Sequence, residues 1–253
     1  MSFFFVFKFN QLKKYFIVLA FSFIVISLLV FNATKYLQVF SSEEDPRALM
    51  KGNEDRDEIA LTFNITWGDE VLEPILDQLE DENVSATFFL LGEWAEHHPH
   101  LVDLIVEKGH EIGMLGYRYK SYLKQDINEV TKDLYKAKDV FTKLNYPDLN
   151  LLRTPSGHLN KEVLTTAVNQ GFQVIDWRVD PNDWEKPGVN YIVDQVMLET
   201  ESGDIILMHA SDSATQTAEA LKTILPGLKE KGFQFVTISE LITQAEISIK
   251  PIE

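Results

Sequence analysis

The stretch IALTFNITWGDEVLEPILDQLED, residues 59–81, contains a strand pattern, a short polar loop and a helix pattern in succession. Residues 59–63 are an apolar run long enough for a buried strand, and residues 70–81 repeat apolar side chains at the spacing of an amphipathic helix. The loop between them begins with the amide Asn64, directly after the strand. This order predicts one unit of a β-strand followed by an α-helix.

The same unit recurs along the chain. Six more apolar runs of strand length follow, at residues 85–91, 110–115, 150–153, 172–177, 204–209 and 233–238. Further helix patterns lie between them, at residues 100–109, 127–144, 161–171 and 217–232. Because strict alternation of strands and helices implies a parallel sheet, the sequence predicts an α/β fold. Seven units within about 190 residues favour a distorted TIM-like (β/α)7 barrel.

Residues 15–34 form a stretch without charge before the predicted barrel. Such a helix spans about 30 Å, the thickness of a bilayer core. The pattern predicts a cytoplasmic N-terminus at residues 1–14, a transmembrane signal-anchor at 15–34, a linker at 35–57 and a folded domain at 58–248. Lys13 and Lys14 precede the stretch, so the positive-inside rule places the domain on the extracytoplasmic side. A cleaved signal peptide is the alternative, although bulky residues follow the stretch.

The composition excludes several classes of function. The chain has 23 basic and 39 acidic residues and a net charge of −16, so its surface repels the phosphates of nucleic acids. We therefore expect no nucleic-acid partner. The absence of cysteine from the sequence excludes disulfides, thiolate metal sites and a cysteine nucleophile.

Polar and aromatic side chains follow most of the predicted strands, where parallel barrels gather their functional residues. These residues are Asn64 and Asp69, then Tyr117, Arg118 and Tyr119, then Arg153, then Asp180, Asp183 and Trp184, and finally His209. A metal site would need histidine or carboxylate ligands from at least two of these loops, and the loop after the third strand offers none. The sequence therefore predicts a polar site at the carboxyl ends of the strands.

Five short motifs resemble those of one known family. TFNI (62–65), GHEIGMLGYRY (109–119), RTPSG (153–157), DPNDW (180–184) and LMH (207–209) occur in the order and at the strand ends typical of the polysaccharide deacetylases. This family, also called the NodB-homology or carbohydrate esterase 4 family, has a distorted (β/α)7 barrel. The resemblance covers residues 58–245. The segments WGDE (67–70) and HASDSA (209–214) are most similar to its PdaB-type sporulation members.

The resemblance assigns catalytic roles to positions that have lost the necessary side chains. In active members an aspartate is the general base, and a second aspartate with two histidines binds a divalent metal. Here the base position is Asn64, and the metal positions are Ile65, Leu115 and Tyr119. An amide is no base at neutral pH, aliphatic side chains have no lone pairs, and a tyrosine hydroxyl is a poor zinc ligand. We therefore expect no metal cofactor.

Other positions of the family's site keep its residue types. The resemblance implies that Arg153 orients the residue at the base position and that His209, tuned by Asp183, is the general acid. The positions that it assigns to substrate binding are Trp67, Tyr117, Pro155, Asp180, Trp184 and Leu207. We also expect Asn64 to hydrogen-bond Arg153 or a backbone group. The side chains of Ile65, Leu115 and Tyr119 should fill the space of the metal.

Two hypotheses follow from this mixture of lost and kept residues. The first is a sporulation protein, anchored in the cell or forespore membrane, that acts at cell-wall or spore-cortex peptidoglycan without metal-dependent deacetylation. The second is an active hydrolase of N-acetylated wall glycan that works without metal. It would use Arg153, Asp183 and His209, with Asp69 or Glu70 as the substitute base.

Overall fold

The computed structural model of the protein describes residues 47–248. In this part of the chain, strands and helices alternate as the sequence predicts. The strands are β1 (Glu58–Ile65), β2 (Thr87–Leu90), β3 (Glu111–Met114), β4 (Leu151–Leu152), β5 (Gln173–Val174), β6 (Ile205–His209) and β7 (Gln234–Phe235). The helices are α1 (Leu72–Asp81), α2 (Gly92–His97), α3 (Pro99–Glu107), α4 (Ile127–Lys143), α5 (Lys161–Asn169), α6 (Val189–Glu199), α7 (Thr217–Glu230) and α8 (Ile238–Ser248).

The seven strands form one parallel sheet. Its order is β5-β4-β3-β2-β1-β6, and β7 pairs with the first residues of β1. Past β5 the chain approaches β6, where Val179 pairs with Ile206 in a parallel bridge. The result is an α/β half-barrel of parallel strands, consistent with the predicted (β/α)7 barrel. Since the strands are parallel, their carboxyl ends all lie at one edge of the sheet.

Strand β1 is buried along its whole length and divides the core into two layers. Ile59, Leu61, Phe63 and Ile65 belong to the large apolar cluster between the sheet and the helices. Ala60 belongs to a smaller cluster inside the half-barrel. Side chains alternate between the two faces of a strand, so Asn64 points to the same inner side as Ala60.

The structure differs from the sequence expectation in the segment before β1. Residues 47–57, which the sequence assigns to a linker, pair with the sheet. The Leu49 N–H donates to the Val174 carbonyl at 2.8 Å, and the Gly52 N–H donates to the Gly203 carbonyl at 2.7 Å. Leu49 also pairs with Ile175, so this segment covers an edge that would otherwise present unpaired backbone groups.

Several elements are shorter than predicted or were not predicted. Strands β4, β5 and β7 contain two residues each. Helices α2, α6 and α8 have no counterpart in the sequence expectation. No helix within residues 47–248 is long and apolar enough to cross a membrane. The predicted signal-anchor at residues 15–34 lies outside the described residues.

His110, in the turn between α3 and β3, gives the fold a specific pH dependence. Its ring is buried, its Nδ1 accepts the Ala86 N–H at 3.3 Å, and its Nε2 has no partner among the described residues. Burial, assisted by Lys108, lowers the pKa of His110 to about 4. Because the unfolded chain has the higher pKa, it takes up the proton first as the pH falls below about 6.5. The buried imidazole therefore lowers the free energy of unfolding progressively as the pH falls from 6.5 to 4.

We predict that His110→Asn makes stability less dependent on pH. The asparagine oxygen can accept the Ala86 N–H but does not titrate. Urea unfolding midpoints at pH 7 and pH 5 should differ less in this variant than in the wild type. The exposed His97→Asn serves as the control and should keep the wild-type difference. An unchanged difference in His110→Asn would show that another group is responsible.

Candidate active site

A cleft of about 460 Å³ opens at the carboxyl ends of the strands. It is lined by Asn64, Thr66, Trp67, Tyr119, Ser156, Trp177, Asp180, Asn182, Trp184, Leu207, His209, Ser211 and Ser213. These residues come from the ends of β1, β4, β5 and β6 and from the loop after β3. The polar site that the sequence predicts at this edge is therefore confirmed.

Arg153 lies at the base of this edge, directly after β4, and is fully buried. Its Nη1 donates to Asn64 Oδ1 at 3.0 Å. Its Nε and Nη2 donate to the backbone carbonyls of Ile175 and Asp176, at 3.4 and 3.2 Å. The guanidinium carbon lies 4.1 Å from the centroid of the Phe89 ring. The predicted hydrogen bond between Asn64 and Arg153 is confirmed.

No carboxylate of residues 47–248 forms an ion pair with Arg153. Its three hydrogen-bond acceptors are neutral oxygens. Burial lowers the pKa of Arg153 to about 9, and the nearby negative charges of Asp176 and Asp180 oppose this effect. The guanidinium therefore stays charged at pH 7 and depends on neutral acceptors, among which Asn64 is the only side chain.

The contact with Arg153 also fixes which end of the Asn64 amide faces the cleft. Since Oδ1 accepts from Arg153, the Nδ2 group remains for other contacts, and it has no partner in the part of the chain that the structure describes. Asn64 is 5% exposed and lines the cleft. The position that holds a proton acceptor in active relatives therefore presents a hydrogen-bond donor.

His209 and Asp183 form the second polar pair of the site. Asp183 is fully buried, and its Oδ1 accepts from His209 Nδ1 at 2.8 Å. Its Oδ2 accepts from the His209 backbone N–H at 2.9 Å and from the Thr217 hydroxyl at 2.6 Å. These bonds place the ring proton on Nδ1 and leave Nε2 for a ligand in the cleft. The structure therefore brings Asp183 and His209 together as a hydrogen-bonded pair, and the tuning of His209 as a general acid stays a prediction.

Asp180 is the single carboxylate among the described residues that line the cleft. Burial raises its pKa, against the hydrogen bond from the Asn182 N–H and the nearby His209. A partly buried carboxylate facing a histidine can accept hydrogen bonds from the hydroxyl or amide groups of a sugar. Its position in the cleft agrees with the substrate-binding role that the sequence assigns to it.

The three positions of the metal ligands do not meet around a common point. Ile65 is buried in the cluster between sheet and helices, and Leu115 is buried in the cluster inside the half-barrel. Tyr119 is 51% exposed at the mouth of the cleft. The expectation that Tyr119 fills the space of the metal is wrong, because its loop turns the ring toward solvent.

None of these three side chains offers the donors that the family's metal needs. Within residues 47–248, no group of three histidine, aspartate or glutamate side chains is arranged to hold a metal ion. The residues present do not fit the metal that the family resemblance implies. Any reaction in this cleft would therefore depend on protein side chains.

Five other sequence-predicted residues lie outside the cleft, and one of them, Arg118, is exposed. Tyr117 is buried, and its hydroxyl donates to Glu96 at 2.9 Å, so it is unavailable to a sugar. Pro155 is also buried, and the neighbouring Ser156 lines the cleft instead.

The two proposed substitute bases are exposed and do not line the cleft either. Both Asp69 and Glu70 follow Gly68, which has a positive φ of 77°. The Glu70 N–H donates to Asp212 at 2.9 Å, which holds the start of α1 away from the cleft. The structure therefore does not support Asp69 or Glu70 as the substitute base, because neither side chain lines the cleft.

Sequence reasoning missed Trp177, which packs beneath the site. Its ring lies 5.3 Å from the guanidinium carbon of Arg153 and lines the cleft. Gly157 makes room for it, since a Cβ atom at this position would lie 2.5 Å from the ring. In the sequence, Trp177 is the last residue of an apolar run. Such a run predicts a strand but does not indicate which way its last side chain points.

Comparison with known proteins shows what this chain is similar to. Residues 51–175 match the family described as polysaccharide deacetylase. A peptidoglycan-N-acetylglucosamine deacetylase of Bacillus cereus is 37% identical over 189 residues, which cover 73% of this chain and 87% of that protein. The protein YlxY of Bacillus subtilis is 31% identical over 80% of this chain. The match spans 62% of the length of YlxY.

Solved structures of carbohydrate esterase 4 family proteins have a similar fold. BA3943 of Bacillus anthracis, described as a carbohydrate esterase 4 family pseudoenzyme, is 31% identical with a TM-score of 0.73. The match covers 78% of this chain and 69% of that one. A mutant of BA3943, described as having restored enzymatic activity, is also 31% identical with a TM-score of 0.73, over 78% of this chain and 71% of the mutant chain.

We predict that Asn64→Leu destabilises the protein by about 1 to 3 kcal/mol, because it leaves a buried Arg153 N–H without its acceptor. Asn64→Asp is the matched variant. Its carboxylate can accept the same hydrogen bond and adds an opposite charge, so it should keep at least wild-type stability at pH 7. Urea denaturation measures both. Equal stability of Asn64→Leu and Asn64→Asp would contradict the assigned role of Asn64.

Proposed function

This chain belongs to the polysaccharide deacetylase family, and we propose that it is a member that binds cell-wall glycan without deacetylating it. The observation that carries this proposal is that the same cleft has lost the base and kept the residues on its opposite side. The base position is an amide whose oxygen is taken by Arg153. The His209–Asp183 pair and the exposed aromatic rings at the mouth are kept.

The expected loss of hydrolysis is large. Removal of a general base typically costs 10²- to 10⁴-fold in rate. Without a metal, the pKa of the attacking water stays at its high bulk value and is not lowered to about 7. These two losses act on the same step, the activation of water. His209 can still protonate a leaving amine, but no amine leaves until water has attacked.

The mouth of the cleft supports glycan binding. Trp67 is 55% exposed and Trp184 is 46% exposed, and Tyr119 lies at the same opening. Three exposed aromatic rings around one opening form a patch, and an exposed apolar patch often marks a binding site. Flat aromatic faces stack against the apolar faces of sugar rings, while Asp180 and Asn64 provide polar contacts deeper in the cleft.

The relatives suggest which glycan is bound. The similar protein of Bacillus cereus is a peptidoglycan-N-acetylglucosamine deacetylase. We therefore propose the peptidoglycan of the cell wall or the spore cortex as the ligand. The PdaB-like segments support a sporulation role, and residues 15–34 support anchoring in the cell or forespore membrane with the domain outside. Fractionation of cells that carry a tagged full chain tests the location.

The alternative function is hydrolysis of N-acetylated glycan without metal. Two features favour it. The His209–Asp183 pair is intact, and Asp180 is a carboxylate in the lining of the cleft that could act as the base. Asp180 is close enough to His209 for the histidine to favour its charged form, and it accepts a hydrogen bond from the Asn182 N–H at 2.8 Å. Acetate release by the wild type that disappears in Asp180→Asn would establish this alternative.

We predict binding without turnover. The full chain should bind oligomers of N-acetylglucosamine in calorimetry and release no acetate from peptidoglycan. Trp67→Ala and Trp184→Ala should each weaken binding about fivefold, because each removes a stacking surface worth roughly 1 kcal/mol. Tyr135→Ala, an equally exposed ring on α4, is the control and should bind as the wild type does. Failure to bind any wall glycan would refute the proposed function.

We also predict that stability does not depend on metal. Zinc at 100 times its dissociation constant would add about 2.7 kcal/mol to a protein with a true site. This corresponds to a rise in Tm of roughly 2 to 4 °C per kcal/mol in a domain of this size. We expect neither chelator nor added zinc to change the Tm. A zinc-dependent rise of several degrees that is lost in His209→Gln would mean that a metal has found other ligands.

A further inference from the structure

A second groove lies on the other side of the loop that follows β3. It has a volume of about 430 Å³, and Tyr117 and Gln125 form part of its lining. The charged residues that line it are Arg118, Lys120, Lys132, Lys136, Glu129 and Asp133. Four cations and two carboxylates give this groove a positive balance, on a chain whose net charge is −16.

One of the two carboxylates is occupied by the protein itself. Asp133 accepts the backbone N–H groups of Tyr117 and Arg118, at 2.8 and 3.1 Å. It also accepts the Tyr122 hydroxyl at 2.8 Å. These three bonds hold the loop after β3 against helix α4. Asp133 therefore shapes the groove, and both of its oxygens already accept hydrogen bonds from the protein.

The positions of two lysines in the groove destabilise helix α4. Lys132 and Lys136 are four residues apart on α4, so they lie on the same face, where like charges repel. Lys136 Nζ lies 3.6 Å from the centroid of the Tyr117 ring. Lys120 Nζ is 3.9 Å from Glu129, and both side chains are exposed, so this pair is weak. An anionic ligand would relieve the repulsion.

The groove and the cleft share one loop. Tyr119 lines the cleft, and its two neighbours in sequence, Arg118 and Lys120, line the groove. Successive Cα atoms are about 3.8 Å apart, so the two sites are separated by little more than the thickness of the loop. A chain of sugars that leaves the cleft past Tyr119 meets cationic side chains.

We propose that this groove binds the carboxylates of a glycan strand whose sugar occupies the cleft. The preferred ligand is then a strand that alternates N-acetylglucosamine with a lactyl-ether sugar whose carboxylate is free, and a neutral polymer of N-acetylglucosamine binds more weakly. Arg118 suits a carboxylate because its guanidinium can donate two parallel hydrogen bonds. The lysines act as mobile point charges. This inference rests on the proposed function, since it names the glycan that the same protein binds.

The test compares two probes of equal length on the full chain. One is an oligosaccharide of alternating N-acetylglucosamine and N-acetylmuramic acid, and the other is a chitin oligosaccharide. They differ chiefly in the lactyl carboxylates. We expect the muramic-acid probe to bind about three- to tenfold more tightly at low salt. The advantage should shrink at about 0.5 M salt, where exposed charges are screened within a few ångströms.

Matched variants separate a local site from the overall charge. Lys132→Gln/Lys136→Gln should abolish the advantage of the muramic-acid probe and leave chitin binding unchanged. Lys138→Gln/Lys143→Gln changes the net charge equally on the same helix, but outside the groove, and should keep the advantage. Equal affinity for the two probes, or an advantage that survives in Lys132→Gln/Lys136→Gln, would overturn the inference. Failure of both probes to bind would instead refute the proposed function.

Discussion

The buried charge of Arg153 is the constraint on which the site depends. A guanidinium stays charged at neutral pH and is costly to bury without partners. Here it is held by two backbone carbonyls, the Asn64 oxygen and the face of Phe89. These contacts join the ends of β1, β4 and β5. The cleft therefore keeps its shape through protein contacts, and no metal is needed to draw its walls together.

The same constraint explains why an amide is tolerated where an active enzyme has a carboxylate. Asparagine and aspartate have nearly the same shape, and either can accept a hydrogen bond from Arg153. The substitution thus keeps the architecture and removes the base. On the opposite wall, the Asp183–His209 pair is anchored by Thr217 and by the backbone of β6, independently of Asn64. One half of the site could lose its chemistry while the other half remained intact.

The sequence predicted the features that depend on local pattern. The parallel α/β arrangement followed from the alternation of strands and helices, and the partners of Asn64 and His209 followed from the resemblance to the polysaccharide deacetylases. Features set by distant packing were not predictable. Tyr117 was expected in the cleft, but its hydroxyl reaches Glu96 on α2. Glu70 was a candidate base, but Asp212, 142 residues away in sequence, holds its backbone.

The orientation of the Asn64 amide also bears on kinetics. A site that presents N–H groups at this depth favours the carbonyl oxygen of a bound acetamide, and the amide at the base position does not activate water. Under the proposed function, a sugar would leave this cleft in the chemical form in which it entered. Occupancy is then governed by dissociation alone, so residence time replaces turnover as the property that substitutions around the mouth adjust.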